Sequence, residues 1–90
     1  MDIAYFATFR EITRENCCRI EEPPSTMGEL LEQLCDKYGR TFRVAVFDGE
    51  ELSPFVILLV NGRNVRHTGG LDTPLSSTDV VSVFPMVAGG

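Results

Sequence analysis

An α+β fold, a mixed sheet of about five strands with one main helix packed across one face, is predicted by three features of the sequence. One strongly amphipathic helical pattern occupies residues 27–38. Short alternating or continuous apolar stretches lie on both sides of it. Ninety residues leave room for one core and not two.

The first strand is read from Ile3 to Phe9, where aromatic and β-branched residues alternate. Asn16 to Glu21 reads as a second, with Glu11 to Glu15 as the turn of an antiparallel hairpin. Pro23-Pro24 ends it, since proline has no N–H to give to a ladder. Thr26 and Glu29 then form a capping box. Met27, Leu30, Leu31, Leu34, Cys35 and Tyr38 follow at intervals of three and four, one stripe that must cover the sheet. Gly39 is placed to end this helix in a left-handed conformation.

Thr41 to Phe47 fits two readings: a strand through Phe42, Val44 and Val46, or a short helix through Phe42, Ala45 and Val46. Asp48-Gly49 supplies a turn. The continuous apolar run from Phe55 to Val60 predicts a strand buried on both faces. Asn61-Gly62 is a type I′ hairpin signal, with Arg63 to His67 returning as a short polar strand. Gly69 to Thr78 is loop, and Asp79 to Phe84 is the last strand, closed by Pro85. The order is strand, strand, helix, strand, strand, strand, and the last strand must find its neighbour inside the sheet. That is the β-grasp arrangement. Residues 1–85 form the domain and 86–90 a tail.

Eight basic and thirteen acidic residues give a net charge of −5. Such a surface repels phosphate backbones, so nucleic acid is not an expected partner, whereas a basic protein surface would be steered toward it. No apolar run approaches the roughly 20 residues that span a bilayer. Met1-Asp2-Ile3 opens no basic-then-apolar leader, so a cytoplasmic protein without a membrane partner is expected. The three cysteines lack metal or redox spacing. Cys17 and Cys18 would point to opposite strand faces, and Cys35 lies in the helix stripe. All three read as reduced thiols packing as small hydrophobes. The alternative is that Cys17 or Cys18 handles sulfur, but its sequence neighbours provide no basic cluster or paired histidine.

Side-chain catalysis finds no constellation. His67 is the single histidine and reads as a surface residue; without it there is no Ser/His/Asp or Cys/His set. No metal set stands out, and Gly62, Gly69 and Gly70 lack the helix and Lys-Ser/Thr pair of a phosphate loop. By itself the chain is expected not to be an enzyme and to bind no cofactor.

The carboxyl end differs. After Pro85, Met86-Val87-Ala88-Gly89-Gly90 runs out as a tail whose plain reading is a frayed terminus. The functional reading is chemical. Glycine has no Cβ, so its backbone enters channels too narrow for other residues. A partner can then set the Gly90 carboxylate beside the α-phosphate of ATP, and the acyl-adenylate formed is open to sulfide, leaving a thiocarboxylate. In the strand before the tail, Val81 and Val83 share the helix-facing side and Val80, Ser82 and Phe84 the other. Phe84, Pro85, Met86, Val87, Ala88 and Gly89 would thus meet a partner, unless Phe84 completes the core.

These residues resemble a known family. Tyr5-Phe6-Ala7-Thr8-Phe9-Arg10-Glu11, Leu59-Val60-Asn61-Gly62-Arg63, the stretch from Leu75 to Phe84 and the ending Phe84-Pro85-Met86-Val87-Ala88-Gly89-Gly90 are similar to the MoaD/ThiS sulfur carriers. The ending is similar to that of the molybdopterin synthase small subunit, departing from it at Met86, where a second proline is usual. The resemblance implies a ubiquitin-like fold and a Gly90 thiocarboxylate. It further implies an adenylating partner related to ubiquitin-activating enzymes that uses ATP, and a sulfurtransferase or cysteine desulfurase. The large subunit of molybdopterin synthase would receive the tail for molybdenum cofactor biosynthesis. Phe84 would belong to the docking surface. A thiamine-pathway carrier, a modifier joined to lysines through Gly90, and a passive ubiquitin-like module are the other readings.

Overall fold

The structure, a computed structural model, describes residues 1–86. Strand β1 (Asp2–Tyr5) is followed by helix α1 (Thr8–Thr13), β2 (Cys17–Arg19), the long helix α2 (Met27–Tyr38) and the short α3 (Arg40–Val46). A small hairpin, β3 (Phe47–Asp48) with β4 (Glu51–Leu52), precedes β5 (Val56–Val60), β6 (Arg63–Asn64) and β7 (Val80–Pro85). The main sheet runs β2-β1-β7-β5-β6. Only the β1–β7 pair is parallel; β1–β2, β5–β6 and β5–β7 are antiparallel. The last strand does occupy the centre, with Ile3 opposite Val81 on one side and Leu58 opposite Val83 on the other.

The stripe on α2 lies on this sheet. Met27, Leu30, Leu31, Leu34 and Cys35 are buried with Ile3, Tyr5, Val56, Leu58, Val81 and Val83. Thr26 caps the helix by accepting the Glu29 amide at 3.3 Å. The Glu29 carboxylate reaches back one residue further than a standard box, to the Ser25 amide at 3.3 Å. Gly39 has φ 93°, as its place at the helix end required, but ψ −164° carries the chain directly into α3.

Several expectations are corrected. The first strand stops at Tyr5, and residues 8–13, read as strand end and turn, form α1. The alternation through Tyr5, Ala7 and Phe9 concealed a second spacing: Phe9 and Thr13, four apart, are buried on one helix face. The second strand is only Cys17–Arg19. Of the two readings of 41–47, the helix is correct, because Phe42 and Val46 point inward together and Phe42 packs edge-on to Phe9 at 5.9 Å. Strand β5 is buried on one face only: Val56 and Leu58 are covered, Ile57 and Leu59 half-exposed, and Phe55 is 71% exposed. Arg63–His67 is strand for two residues and then a 3-10 turn at Val65–His67, capped by the Asn64 side chain on the Arg66 amide. The loop at 69–78 contains a further 3-10 turn, Gly70–Asp72.

Candidate functional site: the open sheet face and the chain end

The β7 alternation builds the site. Val81 and Val83 are 1% and 0% exposed beneath α2, while Val80, Ser82 and Phe84 turn to the opposite face, which no helix covers. Phe84 therefore lies outside the core, half-buried, and its ring stacks on Phe6 with centroids 4.3 Å apart and planes 7° from parallel. Ile57 stands opposite Phe84 on β5. Arg10, whose Nε donates to the Tyr5 carbonyl at 3.2 Å, holds its guanidinium 5.7 Å from the Phe6 centroid. No local spacing pairs Phe84 with another ring; Phe6 reaches it because β1 and β7 run parallel and α1 begins just beyond.

Pro85 ends β7 opposite Val56. The Met86 amide then donates to the Phe55 carbonyl at 2.8 Å, which extends the β7–β5 pairing past Pro85. Met86 and Phe55 are 47% and 71% exposed, so the apolar strip Phe6–Phe84–Ile57–Phe55–Met86 leads to the root of the tail. Val87, Ala88, Gly89 and Gly90 lie outside the described residues.

At the other end of β7, Asn61 and Gly62 take φ 52° and 84°, the positive values a type I′ turn needs. Asn61 accepts the Val80 amide at 2.9 Å and donates to Asp79 at 2.8 Å; the second Asp79 oxygen accepts the Ser76 amide. An open depression of about 460 Å³ lies here, lined by Val60, Asn61, Arg63, Thr68, Thr73, Pro74 and Asp79. Within it Asn61 is bonded to Asp79 and Thr68 to Thr73. His67 is exposed on its 3-10 turn, and among the described residues no group of three metal-ligating side chains converges. No helix among them is long and apolar enough to cross a membrane.

Cys17 is exposed, Cys18 half-buried and Cys35 buried, as strand alternation and the helix stripe require. The sequence around Cys18 contains no basic cluster, and the adjacent Arg19 pairs with Asp2 and Glu21, but the fold supplies a cation: Lys37 Nζ lies 3.5 Å from Cys18 Sγ and 3.6 Å from Glu15 Oε2. Partial burial pulls the Lys37 pKa down, but the Cys18 sulfur and the Glu15 carboxylate outweigh it and leave it raised. Tyr38 donates to Glu15 and accepts from the Tyr5 hydroxyl at 3.1 Å. Nineteen positions separate Cys18 from Lys37, so no local spacing signal could have joined them.

The ThiS family profile matches residues 3–90. The chain belongs to the ThiS family. It is a ubiquitin-like protein of the sulfur-carrier class, and its five-stranded β-grasp sheet is the one expected. Small archaeal modifier protein 3 of Haloferax volcanii is 39% identical to this ThiS-family chain, covering all of it and 98% of the relative. A proposed sulfur carrier protein of Archaeoglobus fulgidus is 41% identical over 79% of the chain and 81% of its own length. The solved structure of a proposed molybdopterin converting factor subunit 1 from Pyrococcus furiosus superimposes with a TM-score of 0.74 at 31% identity, over 96% of this chain and 95% of that one.

Proposed function

We propose that this ThiS-family protein carries sulfur as a thiocarboxylate on Gly90 and delivers it for molybdopterin assembly. The observation that carries the reading is the uncovered apolar strip around Phe84, which continues through Pro85 and Met86 into a sequence ending Gly89-Gly90. A partner grips the strip and the slender tail enters its active site. An adenylating enzyme related to ubiquitin-activating enzymes joins the Gly90 carboxylate to AMP from ATP, expelling pyrophosphate. Sulfide equivalents from a sulfurtransferase or cysteine desulfurase displace AMP. The large subunit of molybdopterin synthase then receives the sulfur. ATP belongs to the partner, and this chain supplies only the acyl group and the surface that presents it. The likeness to the Pyrococcus furiosus subunit favours the molybdopterin acceptor.

The Haloferax volcanii relative, a modifier by name, favours a second reading, in which a lysine amine takes the place of sulfide. Intact mass separates the two. Expressed beside its native sulfur machinery, the chain should exchange one oxygen for sulfur at Gly90; isopeptide-linked conjugates would instead make it a modifier. Appending one alanine after Gly90 should abolish charging while leaving the circular dichroism spectrum unchanged. Charging of the extended chain at the native rate would end the proposal.

A further inference from the structure

Away from the open face and the tail, the described residues bring three reactive groups together where β2 meets the last turn of α2. Lys37, the one lysine in the sequence, contacts Cys18 Sγ at 3.5 Å and Glu15 Oε2 at 3.6 Å. Each comes from a different segment: Glu15 from the loop after α1, Cys18 from β2, Lys37 from α2. The Lys37 and Glu15 side chains are 49% and 39% exposed and Cys18 is half-buried, so a chain end arriving from solvent meets thiol and amine together. Strand β2 is also a sheet edge, paired only with β1. Asn16 accepts from the Tyr5 amide and Ile20 donates to the Met1 carbonyl, so alternation turns the backbone groups of Cys17 and Arg19 outward, where an extended peptide can pair.

We propose that Cys18 and Lys37 form an acyl relay that accepts the activated C-terminal glycine of a second copy of this chain and fixes it as an amide on Lys37. In the cell this rests on the reading of Gly90 as an activated terminus. The thiol is the stronger nucleophile and reacts first: the Cys18 sulfur attacks the glycyl carbonyl carbon, a C–S bond forms, the acyl bond to AMP or to a leaving thiol breaks, and the Cys18 proton leaves with that group. Acylation leaves the thioester carbonyl beside the Lys37 nitrogen, which lay 3.5 Å from the same sulfur. Lys37 passes a proton to Glu15, and its amine attacks the neighbouring thioester carbonyl. The C–N bond forms and the C–S bond breaks; the departing Cys18 sulfur takes the proton held on Glu15, and the second proton of the attacking nitrogen is released to solvent water. Activated acyl group and amine are consumed, amide and leaving group are produced, and nothing is oxidised or reduced. Contact between the two nucleophiles makes the second step intramolecular, which is where its rate arises. Tyr38, bonded to Glu15, is a positioning residue.

The test mixes the full-length chain with a synthetic thioester of Met-Val-Ala-Gly-Gly, the sequence of residues 86–90, near neutral pH, followed by intact mass and peptide mapping. The native chain should gain a hydroxylamine-resistant adduct on Lys37. Cys18→Ser should slow that amide by at least about tenfold, as loss of an intramolecular step requires. Lys37→Arg should stall the adduct on Cys18 in hydroxylamine-labile form, and Cys17→Ser should behave as the native chain. The Lys37→Arg arm leaves the thiol in place, so it decides the matter even if Cys18→Ser folds poorly by circular dichroism. Lys37 amide formed at the native rate in Cys18→Ser, adducts that remain only hydroxylamine-labile in the native chain, or preferential acylation of the Met1 amine would each overturn the relay. Because the thioester is synthetic, failure of Gly90 to be charged in cells would not affect this result.

Discussion

Ala7 leaves β1 with φ 53° and ψ −127°, a conformation natural to glycine and costly to any residue with a Cβ. Such strained positions cost on the order of 1–3 kcal/mol, and Ala7 is exposed, so no packing depends on its methyl group. Ala7→Gly should therefore stabilise the domain by about 1 kcal/mol, the strain relieved less the extra entropy of the unfolded chain, read as a higher urea midpoint at constant slope. An unchanged or lower midpoint would show that the turn is held without strain. The tyrosine pair makes a second residue-scale prediction. Burial raises the Tyr5 pKa, opposed by its bond to Tyr38. For Tyr38 burial acts first and the bond to Glu15 adds to it, because the phenol proton is shared with a carboxylate. Both folded pKa values lie above the unfolded value of about 10, so the stabilisation is complete below that pH. It is lost as pH rises, since the unfolded chain then releases protons that the folded one retains. A pH titration of the thermal midpoint should fall from about pH 10 upward, and Tyr38→Phe should flatten that fall. An equally steep fall in the variant would locate the effect elsewhere.

Among the elements, the β5–β6 hairpin and the start of β7 are joined through one side chain. Asn61 supplies the positive φ of the turn and also bonds the Val80 amide and Asp79. Asn61→Gly keeps the turn and removes only the bonds, so its cost should be about 1–2 kcal/mol. Asn61→Ala adds a left-handed alanine, about 1 kcal/mol more. Chemical denaturation of the two variants separates the terms, and hydrogen exchange at the Val80 amide should accelerate in both. Equal losses would mean that the turn conformation carries no cost. Legibility in the sequence divides along the same line. The capping box at Thr26, the α2 stripe and the Asn-Gly turn are local signals, complete within a few residues, and they were readable. Helix α1 was not, because its six residues carry fewer than two turns of periodicity and Tyr5, Ala7 and Phe9 imitate a strand. The open side of β5 was hidden for another reason: an apolar run records greasy side chains on both faces without saying whether anything covers the second.

For the molecule as a whole, the sheet has one face closed by α2 and one left open, and the alternation in β7 sets which residues fall on each. That division was legible from Val81 and Val83 against Phe84, whereas the stacking of Phe6 and the meeting of Lys37 with Cys18 depend on the tertiary path alone. The proposed docking role of the open face has a direct test, because its two ends differ. Phe84 lies beside the tail within the apolar strip; Val80 lies on the same face at the far end, 47% exposed and away from the strip. Phe84→Ser should lose its stack on Phe6, about 0.5–1.5 kcal/mol beyond its area burial, and leave the α2 core intact. Binding to the purified adenylating partner, measured by calorimetry, should weaken by about tenfold or more if Phe84 anchors the contact. Val80→Ser, on the same strand and face, should leave affinity within about twofold, as expected for a site outside the anchoring cluster. Equal weakening by both variants would spread the contact over the whole face, and no weakening by either would leave the tail to bind alone.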